Sequence, residues 1–430
     1  MIYKVMMQRV NIAIIVSCAL LCRSPEVSLP GCEDGQSHRG ESVDSRSIAA
    51  LGVPGGVLLA TSLSQGVDIE AGGYRVASEV LVVKRAGEVA YRLKPEGEAG
   101  FLPGHRACPD IDGDGADDLV LVSASSSSVG ATCELGMRSG ANGKVLWSAA
   151  IGDCPHPNDV RVCLSREWVS NKIVVVTVPG RTAKFRGWAL AYDATDGQVI
   201  TRYVPADGAR VLSMAACTSA PGAVSFCVVC QDMVGRYLVN CLLDERGNLQ
   251  SEIMCRAPVD SWRFGDWLDS RRDHRRGVSE YVVGWMQWGG ARGFAFGRVS
   301  SESGLDRPDD RVCIGGLPTS FGVLPDHDGD GVDDLALGFP SWPFHGVERA
   351  VGCLLLYGSE AGKHSKFVEA IPDEVFAIPF GYDFCCAPWS PGQGSSPLVV
   401  TAGWPGWIAN KLVICDWPSY EAGPFVDWPE

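Results

Sequence analysis

The chain has 430 residues, 46% apolar and 20% charged, enough for a large packed core and unlike a disordered, collagen-like or multi-span membrane protein. Its 37 Lys and Arg against 51 Asp and Glu leave a net charge of −14, which repels a phosphate backbone and argues against a nucleic-acid partner. The 51 glycines and 26 prolines interrupt the backbone too often for long helices and suit many short strands joined by turns.

At the N-terminus, Lys4 and Arg9 precede an apolar stretch from Val10 to Leu21. That stretch is shorter than the ~20 residues of a spanning helix, so residues 1–22 are expected to be an export signal. Ile15-Val16-Ser17-Cys18 resembles a bacterial lipobox, which would lipidate Cys18; plain cleavage before Gly31 and an uncleaved anchor are the alternatives. The expected location is therefore secreted, periplasmic or cell-surface, with membrane attachment only through such a lipid or anchor. The following segment, residues 32–55, opens polar and aperiodic and is read as a tether.

Of 17 cysteines, 15 lie beyond the signal, an odd number, and in an exported protein most are expected to pair. Cys227-Val-Val-Cys230 has the spacing of a zinc knuckle but sits in a strand-like run, Ala223 to Cys230, where positions i and i+3 point to opposite faces. A structural role follows. The adjacent Cys385-Cys386 would form a vicinal disulfide or pair with separate partners, the second being preferred.

Two segments repeat 216 residues apart, four units of 54: Asp110-Ile-Asp112-Gly-Asp114-Gly-Ala-Asp117-Asp118-Leu119 and Asp326-His-Asp328-Gly-Asp330-Gly-Val-Asp333-Asp334-Leu335. Phe264-Gly265, Phe321-Gly322 and Phe380-Gly381 mark the same register. A strand, a Gly-containing turn and a second strand recur at Val80–Val83 with Gly87, Ser139–Gly143 with Trp147, Ala189–Tyr192 with Gly197, Leu242–Leu243 with Gly247, and Leu354–Tyr357 with Gly362. These are hairpins. Together they place about seven units, beginning near residues 56, 101, 156, 208, 262, 318 and 376, each long enough for four short strands. The expected class is all-β, a β-propeller of about seven four-stranded blades spanning residues 56–430. An immunoglobulin-like array would need about 100 residues per unit.

On Phe321-Gly322, the aspartate loop and Leu337-Gly338-Phe339-Pro340, the chain resembles the FG-GAP repeat proteins, the propeller family of the integrin alpha-chain head and of many exported bacterial proteins. Carboxylates at positions 1, 3 and 5 of a turn, with Gly at 6, suit a hard cation, and calcium fits best. Position 12 is Leu121 or Leu337, where an EF-hand has Glu, and strand residues follow where a helix would begin. By the resemblance, Asp110, Asp112, Asp114 and Asp118 with the carbonyl of Ala116 hold one calcium ion. Asp326, Asp328, Asp330 and Asp334 with the carbonyl of Val332 hold a second. The metal would pin each loop between two strands of a blade.

The seven histidines form no HExxH pair, and the chain shows no Gly-x-Ser-x-Gly elbow, phosphate loop or dinucleotide fingerprint. No catalytic residue is assigned, and the expected role is a non-catalytic scaffold with a protein or carbohydrate ligand on one propeller face. Gly143-Lys-Val-Leu-Trp147 and Thr195-Asp-Gly197 also resemble quinoprotein propeller repeats, so a quinoprotein dehydrogenase, or a carbohydrate-active propeller enzyme, is the alternative. Most of the 13 tryptophans are expected as wedges between blades. Trp342, Trp404 and Trp407, on Gly/Pro-rich loops, are the candidate ligand-stacking residues. Arg271-Arg272-Asp273-His274-Arg275-Arg276 is read as a solvated loop tip rather than an anion patch.

Overall fold

The computed structural model describes residues 41–339 with short interruptions, together with Glu26–Val27, Cys353–Tyr357, Ser365–Val368, Phe380–Cys386, Leu398–Ala402 and Lys411–Cys415. The described strands form seven antiparallel sheets, meanders in chain order except for the outer strand of the last. Sheet 1 is Glu41–Val53, Gly56–Gln65, Glu79–Lys84 and Val89–Leu93. Sheet 2 is Gly100–Phe101 with Arg106–Cys108, then Asp118–Ser127, Gly130–Arg138 and Val145–Cys154. Sheet 3 is Arg161–Leu164, Ile173–Pro179, Gly187–Asp193 and Val199–Tyr203. Sheet 4 is Arg210–Ala220, Ala223–Gln231, Arg236–Leu243 and Leu249–Arg256. Sheet 5 is Ser261–Asp273, Val278–Gln287 and Gly293–Ser300, edged by Gly304–Leu305 and Arg311–Val312. Sheet 6 is Ser320–Leu324, Asp334–Phe339, Cys353–Tyr357 and Ser365–Val368. Sheet 7 is Phe380–Cys386, Leu398–Ala402 and Lys411–Cys415, and its outer strand is Glu26–Val27 from the other end of the chain.

The first strand of each sheet packs against the first strand of the next, and that of sheet 7 packs against that of sheet 1. The ring is closed, and the fold is a β-propeller. Closure leaves only short edges, and here the N-terminal strand zips the last sheet by pairing Glu26 with Val413 and Val27 with Leu412. The five strand–turn–strand repeats seen in the sequence are the hairpins between third and fourth strands of sheets 1, 2, 3, 4 and 6.

One expectation is corrected at the start of sheet 1. The segment read as a tether to residue 55 supplies the strand Glu41–Val53, paired with Gly56–Gln65 on either side of a register shift between Asp44 and Ile48. Ala49, Ala50 and Leu51 are buried, because this short apolar run fills the face turned to sheet 2 or its own neighbours despite the polar residues before it. The export signal, including Cys18, lies outside the described residues, and no described helix is long and apolar enough to cross a membrane.

Where burial is described, the inner strands of a sheet are sandwiched and dry on both faces. In Ile173–Pro179 every residue is buried. Val174 and Val176 face sheet 2, among Val120, Leu135, Met137 and Trp147, while Ile173 and Val175 face sheet 4, among Phe226, Val228 and Tyr237. Alternation along a strand therefore separates two cores rather than core from water, which explains why these strands read as continuous apolar runs. The same division applies to Cys227, which packs towards sheet 5, and Cys230, which packs towards sheet 3. Their opposite faces rule out a shared zinc, as the spacing on a strand implied.

The expected disulfides are not found among the described residues. Cys108, Cys133, Cys154, Cys227, Cys230, Cys241 and Cys255 are thiols. They act as small apolar side chains; burial pushes the Cys230 thiol up to about 11 and the Cys255 thiol up to about 12, which keeps both protonated. Cys385 and Cys386 occupy successive positions of one strand, paired with Val399 and Leu398.

Among the described tryptophans, Trp147, Trp267 and Trp285 are buried, while Trp262 stays half exposed. Trp147, on the outer strand of sheet 2, reaches the third hairpin of sheet 3, where its indole N–H donates to the Ala194 carbonyl at 2.7 Å. Tyr91 does the same one sheet earlier, donating to the Gly140 carbonyl at 2.7 Å. The hairpin must present glycine to the ring. Gly197 has φ +73°, and a Cβ there would lie 2.5 Å from the indole Cε3. Gly197→Ala is expected to cost about 2–4 kcal/mol, from overpacking plus left-handed strain, read as a lower urea midpoint; an unchanged midpoint would show that this contact is not tight.

A second consequence concerns pH. His105 is buried between sheets 1 and 2, and its Nε2–H donates to the Ala60 carbonyl at 3.1 Å. Burial first, with Arg106 adding repulsion, lowers its pKa to about 4, although the Ala60 carbonyl opposes the shift. Between about pH 6.5 and about 4 the unfolded chain therefore takes up a proton that the native state refuses. His105's own contribution to stability should fall by up to about 3 kcal/mol on acidification through that window and be untouched above it. Denaturation at pH 7 and at pH 4.5 should show a smaller acid loss in His105→Gln than in the parent chain.

Candidate metal centre

The aspartate loops join the first and second strands of sheets 2 and 6. In sheet 2 the loop is fully described. Asp110, Asp112 and Asp118 each bring a carboxylate oxygen to within 4.8 Å of the others. The loop curls around its own carboxylates: Asp110 accepts from Gly113 N at 2.6 Å and Gly115 N at 2.8 Å, and Asp112 from Asp114 N at 3.1 Å. Asp118, at the root of the second strand, is wholly buried and accepts from Ile111 N at 2.7 Å and Gly140 N at 3.1 Å. Gly113 and Gly115, at φ +81° and +90°, make the bends that fold the carboxylates inward.

Asp114 departs from the expected set. Its oxygens accept from Ala116 N at 2.9 Å and from Ser139 Oγ at 2.8 Å, so it ties the loop to the outer hairpin and lies outside the converging group. Ala116 is buried beside it.

In sheet 6, Asp326 accepts from Gly331 N at 2.8 Å, the counterpart of the Asp110 bond to Gly115 N. Val332 and Asp334 are buried like Ala116 and Asp118. Asp328 and Asp330 lie outside the described residues, as do His327, Trp342, Trp404 and Trp407.

Electrostatics favour a cation in the sheet 2 loop. Burial, and then the charges of Asp112 and Asp110, push Asp118 up to about 6, while burial and then Asp118 and Asp110 push Asp117 up to about 7. Carboxylates so placed resist full ionisation on their own, and a divalent ion reverses that. An all-oxygen donor set suits calcium better than zinc or copper, which prefer nitrogen and sulfur.

Asp117 and Asp333, the first members of the two Asp-Asp pairs, have a function that the motif alone does not reveal. Asp117 N donates to the Gly52 carbonyl at 2.8 Å, and its carboxylate accepts from Gly52 N at 2.6 Å. Asp333 repeats this pattern on sheet 5: its N–H donates to the Arg272 carbonyl at 2.9 Å and its carboxylate accepts from Arg272 N at 3.0 Å. Each is a two-point clamp from the loop to the preceding sheet. Adjacent residues entering a strand face opposite ways, so one member of each pair turns to the loop and the other to the neighbouring sheet.

The basic run is only partly a solvated tip. Arg271 is buried and paired with Glu280 at 2.5 Å, whereas Arg275 and Arg276 flank Asp273 at 3.8 and 3.6 Å with their side chains largely exposed.

No protein-family model matches the chain, and no curated protein matches it. Among solved structures, it is similar to the β-propeller domain of the Trilobed protease from Pyrococcus furiosus, described as having an open velcro topology. The identity is 9%, over 85% of this chain and 90% of that one, with a TM-score of 0.44.

Asp117→Ala and Asp333→Ala should each cost about 1–3 kcal/mol, since a buried backbone N–H loses its acceptor. Bound metal per chain should not change. Loss of an ion in either variant would make that aspartate a ligand and refute the clamp.

Proposed function

We propose that this chain is a calcium-binding propeller of the FG-GAP type that works outside the cytoplasm as a non-catalytic scaffold for a protein or carbohydrate partner. The observation that carries the calcium reading is the convergence of Asp110, Asp112 and Asp118 in a loop with two left-handed glycines. The repetition of its frame by Asp326, Gly331 and Asp334 in sheet 6 supports a second site. In this reading calcium is structural: it neutralises the carboxylates and holds the loop, which the Asp117 and Asp333 clamps join to the sheet before it.

A scaffold needs an accessible face. In a meander of four strands, the links from first to second and third to fourth strands lie at one end of each sheet, and the other links lie at the opposite end. The calcium loops belong to the first end. At the second end, sheets 4 and 5 expose Met233, Val234, Val259 and Trp262. The two turns bearing these residues are joined by an ion pair between Arg256 and Asp232 at 3.0 Å and by Ala257 N donating to the Arg236 carbonyl. Exposed apolar residues grouped on one face suit partner contact.

Native mass spectrometry should find two calcium ions per chain, falling to one in Asp112→Ala or Asp328→Ala, and chelation should lower the melting temperature. Extracellular calcium modules bind at ~10⁻⁴ to 10⁻³ M, so the titration belongs in that range. A metal-free chain with a melt indifferent to chelator would sink the reading.

A further inference from the structure

At the end of the sheets opposite the aspartate loops, the turn 232–235 of sheet 4 and the link 257–260 into sheet 5 form one platform. Arg256 joins them: its Nη1 and Nη2 donate to the two Asp232 oxygens at 3.2 and 3.0 Å, and its guanidinium lies 5.0 Å from the centre of the Tyr237 ring. Met233, Val234 and Val259 are 99%, 80% and 88% exposed, so their side chains are protruding tips rather than the lining of a groove. Among the described residues, the two non-glycine residues with left-handed backbone, Asp260 at φ +64° and Arg263 at φ +58°, both belong to this platform. Such backbone costs free energy and collects at binding sites. Here it brackets the half-exposed Trp262, and the Arg263 guanidinium lies 5.5 Å from the Trp262 ring centre and 4.9 Å from that of Trp267.

Charge and composition indicate the kind of partner. The guanidinium groups of Arg210, Arg236, Arg256 and Arg263 outnumber the carboxylates of Asp232, Asp260 and Asp266. Asp266 is shared by Arg236 and Arg263, and Arg210 donates to two uncharged acceptors, Gln231 Oε1 at 2.9 Å and the Arg181 carbonyl at 2.8 Å. The platform is therefore positive on a chain of net charge −14. Neither Lys nor Glu occurs from Arg202 to Leu243 or from Arg256 to Asp273. Protein interfaces favour Met, Arg and aromatic residues and disfavour Lys and Glu. Stacking on Tyr237, Trp262 and Trp267 holds Arg256 and Arg263 in place before a partner arrives, which lowers the entropy lost on binding. Asp232 and Asp266, the carboxylates that would bond sugar hydroxyls, are already taken by arginine. We infer that this platform docks an acidic protein segment, whose apolar side chains cover Met233, Val234 and Val259 and whose carboxylates meet the partly exposed Arg256 and Arg263. The inference rests on the scaffold reading above and narrows its partner to a protein.

Selection of a displayed library of random peptides on the full folded chain, in buffer containing calcium, tests this, with a glycan array run alongside. Enriched peptides should combine Asp or Glu with Leu, Phe or Trp. Their synthetic copies should bind about tenfold more weakly to Met233→Ser with Val259→Ser, and several-fold more weakly to Arg256→Gln or when salt is raised. The substituted side chains are exposed or partly exposed, and circular dichroism checks that the variants fold. The inference is overturned by peptides that lack acidic residues, by binding that ignores the Met233 and Val259 changes, by a library that yields no binder, or by glycans that lose affinity in those same variants. Peptides or glycans that bind elsewhere overturn this platform alone and leave a scaffold with another face. A chain that binds neither peptide nor glycan refutes the scaffold reading as well.

Discussion

The inner strands of the described sheets are packed on both faces, and most of the remaining structure depends on that. A sheet wetted on one side would alternate apolar and polar residues, whereas Ile173–Pro179 is buried throughout and feeds two separate cores. Neither core forms until the neighbouring sheet is in place, so stability is shared around the ring, and the strand Glu26–Val27 completes the last sheet. Contacts that lock neighbouring sheets therefore have effects beyond their own hydrogen bonds. The Trp147 and Tyr91 rings set the spacing at the outer rim, and Asp117 and Asp333 set it near the inner strands.

The converging carboxylates sit at one end of the sheets, in a link between first and second strands. The aspartate loops illustrate how little chain this needs. A nine-residue turn supplies a converging acid group, a tie to its own outer hairpin through Asp114 and Ser139, and a clamp to the preceding sheet. The division of tasks within Asp117-Asp118 follows from strand geometry: one carboxylate turns inward to the loop, the other to Gly52. A metal bound there would stabilise more than the loop, since the clamp continues the connection into the preceding sheet.

The thiols show the same constraint acting on a different residue type. A cysteine count and an oxidising compartment say how many bridges to expect, but pairing requires side chains on one face at short range. Sandwiched strands send Cys227 and Cys230 into different cores, and the small apolar thiol serves each as packing. No disulfide is found among the described residues, and the alternation of strand faces correctly separated Cys227 from Cys230.

The strand periodicity, the Gly-bearing hairpins and the recurring aspartate loops were sufficient to place the propeller class and the sheet starts near residues 101, 208, 262 and 318 within about three residues, because each is a local pattern that the backbone must obey. The first strand was missed because Glu41–Val53 opens with polar residues, and its membership in sheet 1 depends on pairing with Gly56–Gln65. The amino-acid order also marked Asp110, Asp112 and Asp118 as a converging group, since spacing on a turn determines where such carboxylates point. It could not assign Asp114 to Ser139, Asp117 to Gly52 or Arg275 to Gly331, for those partners lie 25, 65 and 56 residues away in sequence. Which residues meet across the gap between sheets is decided only when the ring closes, because no local rule of spacing or propensity reaches across it.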